Sequence, residues 1–151
     1  MVYLASDHAG FELKEKIKKY LGELGVEVED MGAFEINPDD DYPDFVILAA
    51  QRVAEDPKNN RGIIFGGSGQ GEAIAANKVQ GIRGAVYYGG SLDIVKLSRA
   101  HNDANILSLG ARFLTAEQAK EAVRLWLETP FEGGRHERRI GKISKFEQGK
   151  S

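Results

Sequence analysis

The chain contains no cysteine in its 151 residues. That excludes disulfides, thiolate nucleophiles and Cys-ligated metal sites, and it fits a reducing compartment, so a cytoplasmic setting is expected. Long apolar runs are missing too. None approaches the roughly 20 residues of a membrane span, and "MVYLASDHAG" lacks the basic start and extended apolar region of a signal peptide. Nor is there an excess of one charge. With 20 Lys plus Arg against 23 Asp plus Glu the net charge is −3, which gives no electrostatic reason to expect nucleic acid or an anionic membrane as partner. Histidine is sparse: His8, His101 and His136. Any anion binding must be local. The chain shows no sequence repeat, low-complexity tract or interdomain linker, and its length suits a single domain over residues 1–151.

What is present is a repeating alternation. "VYLA" (2–5) is a short β-leaning run, and Leu13, Ile17, Tyr20, Leu21 and Leu24 then recur at helical spacing. "VEVED" (26–30) alternates like a strand, "INPDDDYP" is turn chemistry, and Pro43 suits the first turn of a helix through Phe45, Leu48, Ala49 and Val53. "GIIF" (62–65), "AVYY" (85–88) and "NILSLG" (105–110) are three further buried-strand candidates, with helical stretches near 72–78 and 92–101 between them. Thr115 and Gln118 have the spacing of a capping box, and Ala119, Ala122, Val123, Trp126 and Leu127 follow one helical face. Five strands alternating with helices predict an α/β fold, a Rossmann-like three-layer αβα sandwich with a five-stranded parallel sheet. A basic C-terminal segment remains, "RHERRIGKISKF", in which Ile140, Ile143 and Phe146 form a face suited to docking.

In an open α/β sheet, ligands bind beyond the carboxyl ends of the strands. Three loops leave from that edge: "SDHAG" after strand one, "GGSGQGE" after strand three and "GARFLT", with Arg112, after strand five. Asp7 or Ser6 has an alternative use as a helix cap, which does not account for the neighbouring His8. The glycine loop is no nucleotide signature, because it lacks the Gly-Lys-Ser/Thr end of a P-loop and spaces its glycines GxGxG after the third strand. Gly66, Gly67, Gly69 and Gly71 still let backbone N–H groups converge on a small oxygen-bearing group. A phosphate there would meet Glu72. An acidic residue in a first turn also suits the helix dipole, so Glu72 alone does not decide the matter.

"RHERR" offers a different anion site. If it is helical, Arg135 and Arg139 lie four apart on one face with His136 beside them, a fork for phosphate oxygens; a solvated basic face is the plainer alternative. One arginine-lined site and one amide-lined site beside a carboxylate suggest a phosphorylated substrate held at one end and deprotonated at the other. Proton transfer between adjacent carbons is aldose–ketose isomerisation, with the loop stabilising an enediolate oxygen while Glu72 moves the proton. Burial raises a carboxyl pKa and a helix N-terminus lowers it, so the poise of Glu72 stays open at this point.

With these residues in view, the chain resembles the ribose-5-phosphate isomerase B family, in the group that also contains the galactose-6-phosphate isomerase subunits. "SDHAG", "GGSGQGEAIAANKVQGIRGA", "RAHNDANILSLGAR" and "RHERRI" match in order along almost the whole chain. The resemblance implies interconversion of ribose 5-phosphate and ribulose 5-phosphate through an enediolate, without metal or organic cofactor, in a homodimer whose sites use both subunits. It implies that Asp7 and His8 contact substrate, that Gly67 to Gly71 with Ser68 form the anion hole, and that His101 and Asn102 assist ring opening and hold hydroxyls. Arg112, Arg135 and Arg139 would bind phosphate, with His8 or His136. Many members carry a cysteine base where this chain has Gly66; a second branch has glycine there and uses the glutamate ending the motif, here Glu72.

His101 and Asn102 precede strand five and so belong at the amino edge of the sheet, opposite the glycine loop. They reach that loop most simply from a second subunit, which predicts a homodimer with shared sites, or a tetramer built from it, and a docking role for 130–151. His101 also suits a helix C-cap. Tyr42, in the loop "INPDDDYPDF", is a candidate sugar contact where five-carbon and six-carbon substrates would be told apart. The competing class is a non-catalytic sugar-phosphate or nucleotide binding module, which has no need of a carboxylate beside its anion hole.

Overall fold

A computed structural model describes residues 1–149. Short runs of apolar and β-branched residues form the strands, and amphipathic segments cover them. The order is β1 (Val2–Ser6), α1 (Phe11–Glu23), β2 (Val28–Asp30), α2 (Tyr42–Ala54), β3 (Arg61–Gly66), α3 (Gln70–Asn77), β4 (Gly84–Tyr87), α4 (Asp93–Ala100), β5 (Ile106–Gly110), a single 3₁₀ turn at Ala111–Phe113, α5 (Ala116–Glu128) and α6 (Arg135–Glu147). All strand pairings are parallel, in the order β2-β1-β3-β5-β4.

The predicted three-layer sandwich is therefore present. On one face Leu13, Ile17 and Leu21 of α1, Val95 of α4 and Ala122, Val123 and Trp126 of α5 pack on Leu4, Ile63, Phe65, Leu107 and Leu109. On the other, Val46, Ala49, Ala50 and Val53 of α2 and Ala76 of α3 pack on Tyr3, Ala5, Ile64 and Ile106. The capping box at the start of α5 forms in full: Gln118 N–H donates to Thr115 Oγ1 at 3.1 Å, and Thr115 N–H donates to Gln118 Oε1 at 2.9 Å.

Three expectations need correction. Leu24 lies outside α1 and Leu48 is exposed, because the buried stripe of α2 runs through Val46, Ala49, Ala50 and Val53. Neither Ser6 nor Asp7 caps α1, whose N-cap is Gly10; Asp7 closes the turn before it, accepting from the N–H groups of Ala9 and Gly10 at 3.0 and 3.2 Å. Of the three apolar residues on α6, only Ile140 is buried. Ile143 is 52% exposed and Phe146 83% exposed. The segment 130–151 continues past α6 to residues 150 and 151, which lie outside the described residues.

Candidate active site

Parallel pairing from β1 through β3 to β5 brings the ends of these strands to one edge, with Ser6 opposite Phe65 and Gly66 opposite Gly110. Asp7, His8, the 66–72 loop and Arg112 meet there. The glycine loop is held from below: buried Ser108 on β5 donates to the Gly69 carbonyl at 2.6 Å, and Arg112 N–H donates to the Gly67 carbonyl at 3.0 Å. Gly69 caps α3 at φ +79°, a left-handed conformation that a side chain would strain. Among the described residues, the N–H groups of Ser68, Gly69 and Gly71 have no hydrogen-bond partner. They are free to receive an oxyanion.

The position of Glu72 follows from Gly66. A Cβ on Gly66 would overlap the Glu72 carboxyl group, so the carboxylate fills the volume that any larger residue at 66 would need. A cysteine at 66 and this placement of Glu72 exclude one another. Glu72 is 4% exposed. Burial raises its pKa, the nearby Asp7 carboxylate raises it further, and a hydrogen bond from its own backbone N–H opposes both. Burial dominates, which resolves the question the sequence left open.

The remaining carboxyl-edge residues surround this pair. Tyr42 opens α2 with its hydroxyl beside Gly71, and a Cβ on Gly67 would fall 2.9 Å from Arg112 Nη1. Ser68 accepts from Gln70 N–H at 3.3 Å through its Oγ. His8 is bound by a residue that the sequence reading missed, Asp40: its backbone N–H lies 3.0 Å and its Nδ1 2.7 Å from Asp40 Oδ1. The loop bearing Asp40 is anchored by a second missed pair. Lys14, fully buried on α1, donates to both oxygens of Asp30 at 2.7 and 2.6 Å and to the Ala33 carbonyl at 2.8 Å.

A second group of the predicted residues lies at the amino edge. His101 caps the C-terminus of α4, and Asn102 and Asp103 form the turn into β5. This turn is locked by two arginines absent from the sequence reading. Arg83 donates to the carbonyls of Asn102 and Asp103, and Arg99 to Asp103 Oδ1 at 2.8 Å and the Ala104 carbonyl at 2.7 Å. The signal available for Arg99 was its place two residues before "HNDAN"; Arg83, eighteen residues before His101, had none. His136, the second residue of α6, is buried against His101 with the rings stacked, centroids 4.1 Å apart and planes 11° from parallel. Burial lowers its pKa, and His101 adds to that. Arg135 and Arg139 are exposed on the same helix. The chain thus divides its predicted site residues between two sheet edges. Arg112 belongs to one, Arg135 and Arg139 to the other.

Two groups carry metal-ligand types. Among the described residues these are His101, Glu132 and His136, and Asp7, His8 and Asp40, with the ligand atoms of each group within 4.8 Å of one another.

Comparison with known proteins places the chain in a family. Residues 2–143 match the family model for ribose/galactose isomerases. The chain is 45% identical over 148 residues to ribose-5-phosphate isomerase B of Mycolicibacterium paratuberculosis, covering 97% of this chain and 91% of that one. Among solved structures, ribose-5-phosphate isomerase B of Mycoplasma genitalium with bound ribulose 5-phosphate superposes with a TM-score of 0.94 at 39% identity, covering 97% and 95% of the two chains. The enzyme of Clostridium thermocellum superposes with a TM-score of 0.91 at 43% identity, covering 98% and 97%. This chain belongs to the ribose/galactose isomerase family.

Proposed function

We propose that the protein interconverts ribose 5-phosphate and ribulose 5-phosphate by proton transfer through an enediolate, with Glu72 as the base. The observation that carries this reading is the buried Glu72 carboxyl group, seated in the space left by Gly66 beside unpartnered loop amides. Aldose and ketose are isomers, so the reaction needs no net oxidant. Glu72 takes the proton from C2 of the open-chain aldose, the 67–71 amides and Ser68 stabilise the enediolate oxygen, and the proton returns at C1 as the hydroxyl proton passes from O2 to O1. Tyr42 and Asp7 hold the sugar. Binding the remote phosphate orients the reacting carbons.

The separation of the two residue groups supports a homodimer in which His101 and Asn102 of one copy assist ring opening at the other copy's glycine loop. Arg135 and Arg139 come with them to bind phosphate together with Arg112, and exposed Phe146 and Ile143 suit contact with that second copy. His136 supports His101 through the stacked rings.

The test is turnover and binding of ribose 5-phosphate by the parent and by Glu72→Gln. Removing the base lowers kcat by about 10²–10⁴-fold while sugar binding persists. A parent that binds the sugar but turns over neither it nor a six-carbon phosphate is a binding module, and the reading fails.

A further inference from the structure

We propose that Asp40 is a positioning residue that keeps His8 in its cationic form, and that this cation is a fixed part of the phosphate-binding charge at the carboxyl edge. The inference rests on the isomerase reading for its substrate and on the local geometry for its chemistry. Asp40 Oδ1 takes both the His8 backbone N–H at 3.0 Å and the ring Nδ1 at 2.7 Å, which fixes the ring and leaves Nε2 as the nitrogen open to a ligand. The Asp40 side chain is only 8% exposed, and its Oδ2 is buried with no partner among the described residues. A neutral imidazole offers this carboxylate a hydrogen bond alone; an imidazolium adds the opposite charge that makes it half of an ion pair.

The surrounding charges point the same way. The groups facing His8 are Asp40 from the 31–41 loop, Asp7 from its own loop and Arg112 from the turn after β5, with Glu72 of α3 behind Asp7. The hydrogen bond to Asp40 raises the His8 pKa, desolvation opposes it, and Asp7 adds to the rise against the effect of Arg112. Counted with a neutral His8, three carboxyl groups would face one guanidinium. That balance repels a phosphate dianion, whereas a protonated His8 gives the anion a second cation from this chain. Asp40 therefore contributes to anion binding through His8 despite its own negative charge.

The experiment compares the parent with Asp40→Asn, following His8 by imidazole NMR across pH and measuring KM and kcat for ribose 5-phosphate with binding of inorganic phosphate. In the parent, His8 holds its proton above the ordinary histidine value of 6.5. In the variant its midpoint falls, KM near pH 7.5 rises several-fold, and the larger part of the loss is in KM. The KM–pH profile moves with the NMR midpoint, which a merely structural defect would not produce. Equal His8 midpoints in parent and variant overturn the proposal. A parent His8 titrating at or below 6.5 also overturns it, and that measurement stands even if the variant does not fold. A parent that leaves ribose 5-phosphate unchanged refutes the isomerase reading alone, since the NMR titration and phosphate binding still test Asp40.

Discussion

The carboxyl edge of the sheet and its amino edge hold the two halves of the candidate chemistry, and they are built from different materials. At the carboxyl edge the key groups are buried and closely packed: Glu72 against Gly66, Asp7 in its turn, Asp40 on His8, and a glycine loop fixed by Ser108. At the amino edge Arg135 and Arg139 stand in solvent on a helix whose far end exposes Phe146, while His101 sits on a turn clamped by Arg83 and Arg99. One half sets a buried carboxyl group beside unpartnered amides and is poor in cations. The other is rich in cations and carries no base beside an amide loop. A parallel sheet cannot fold its two edges together, which is why the proposed reaction has each half complete its chemistry on another copy.

The largest effect that would break this comparison comes from mixing variants. Glu72→Gln disables the carboxyl edge and His101→Ala the amino edge, and each homodimer should be nearly inactive. Subunits mixed and re-equilibrated in equal amounts should recover about one quarter of the parent activity, because half the dimers are mixed and each then holds one intact site of two. No recovery in verified mixed dimers would show that each chain uses its own His101.

Gly66→Ala sharpens the carboxyl-edge half. The added methyl overlaps the Glu72 carboxyl group and must displace it, since strand β3 is buried and cannot withdraw. Displacement of the reacting group by about an ångström costs on the order of 100-fold in rate. We expect that loss in kcat, with the fold intact by circular dichroism. Near-parent kcat would mean that the base does not depend on this volume.

The same contrast explains which parts were legible in the sequence. Strand and helix alternation, the Thr115–Gln118 box and the strand-end loops follow from periodicity and local hydrogen bonding, and each is in the structure. The division of His101 from Glu72 was legible too, because strand direction alone assigns a loop to an edge. Side-chain burial of charged residues was not. Lys14 stands three and seven residues before Ile17 and Leu21, on the edge of the apolar stripe, where a lysine is normally taken as solvated; only Asp30 and the Ala33 carbonyl, brought in by the fold, justify it. Asp40 stood in a run of three aspartates, and nothing local distinguished it from Asp39 or Asp41. Leu48 was misplaced because α2 presents its smaller residues, Ala49 and Ala50, to the sheet.

The smallest effect concerns pH and separates a buried base from an exposed carboxylate. Burial raises the Glu72 pKa, so the fold favours its neutral form; the associated stability is complete below the unfolded value, near 4.5, and is lost as pH rises through the higher folded value. At neutral pH the ionised group opposes folding. Glu72→Gln should then melt higher than the parent by about 2–4 °C near pH 7.5, the equivalent of roughly 1 kcal/mol in a chain of this size, and the difference should shrink toward pH 4. Glu137→Gln, an exposed position on α6, should change the melting temperature little at either pH. In the parent, kcat/KM should climb with pH through an apparent midpoint above the ordinary carboxyl value, because only ionised Glu72 accepts the proton. A parent and Glu72→Gln variant with parallel melting curves from pH 4 to 8 would show that the carboxyl edge leaves Glu72 solvated, and the contrast between the two edges would lose its physical basis.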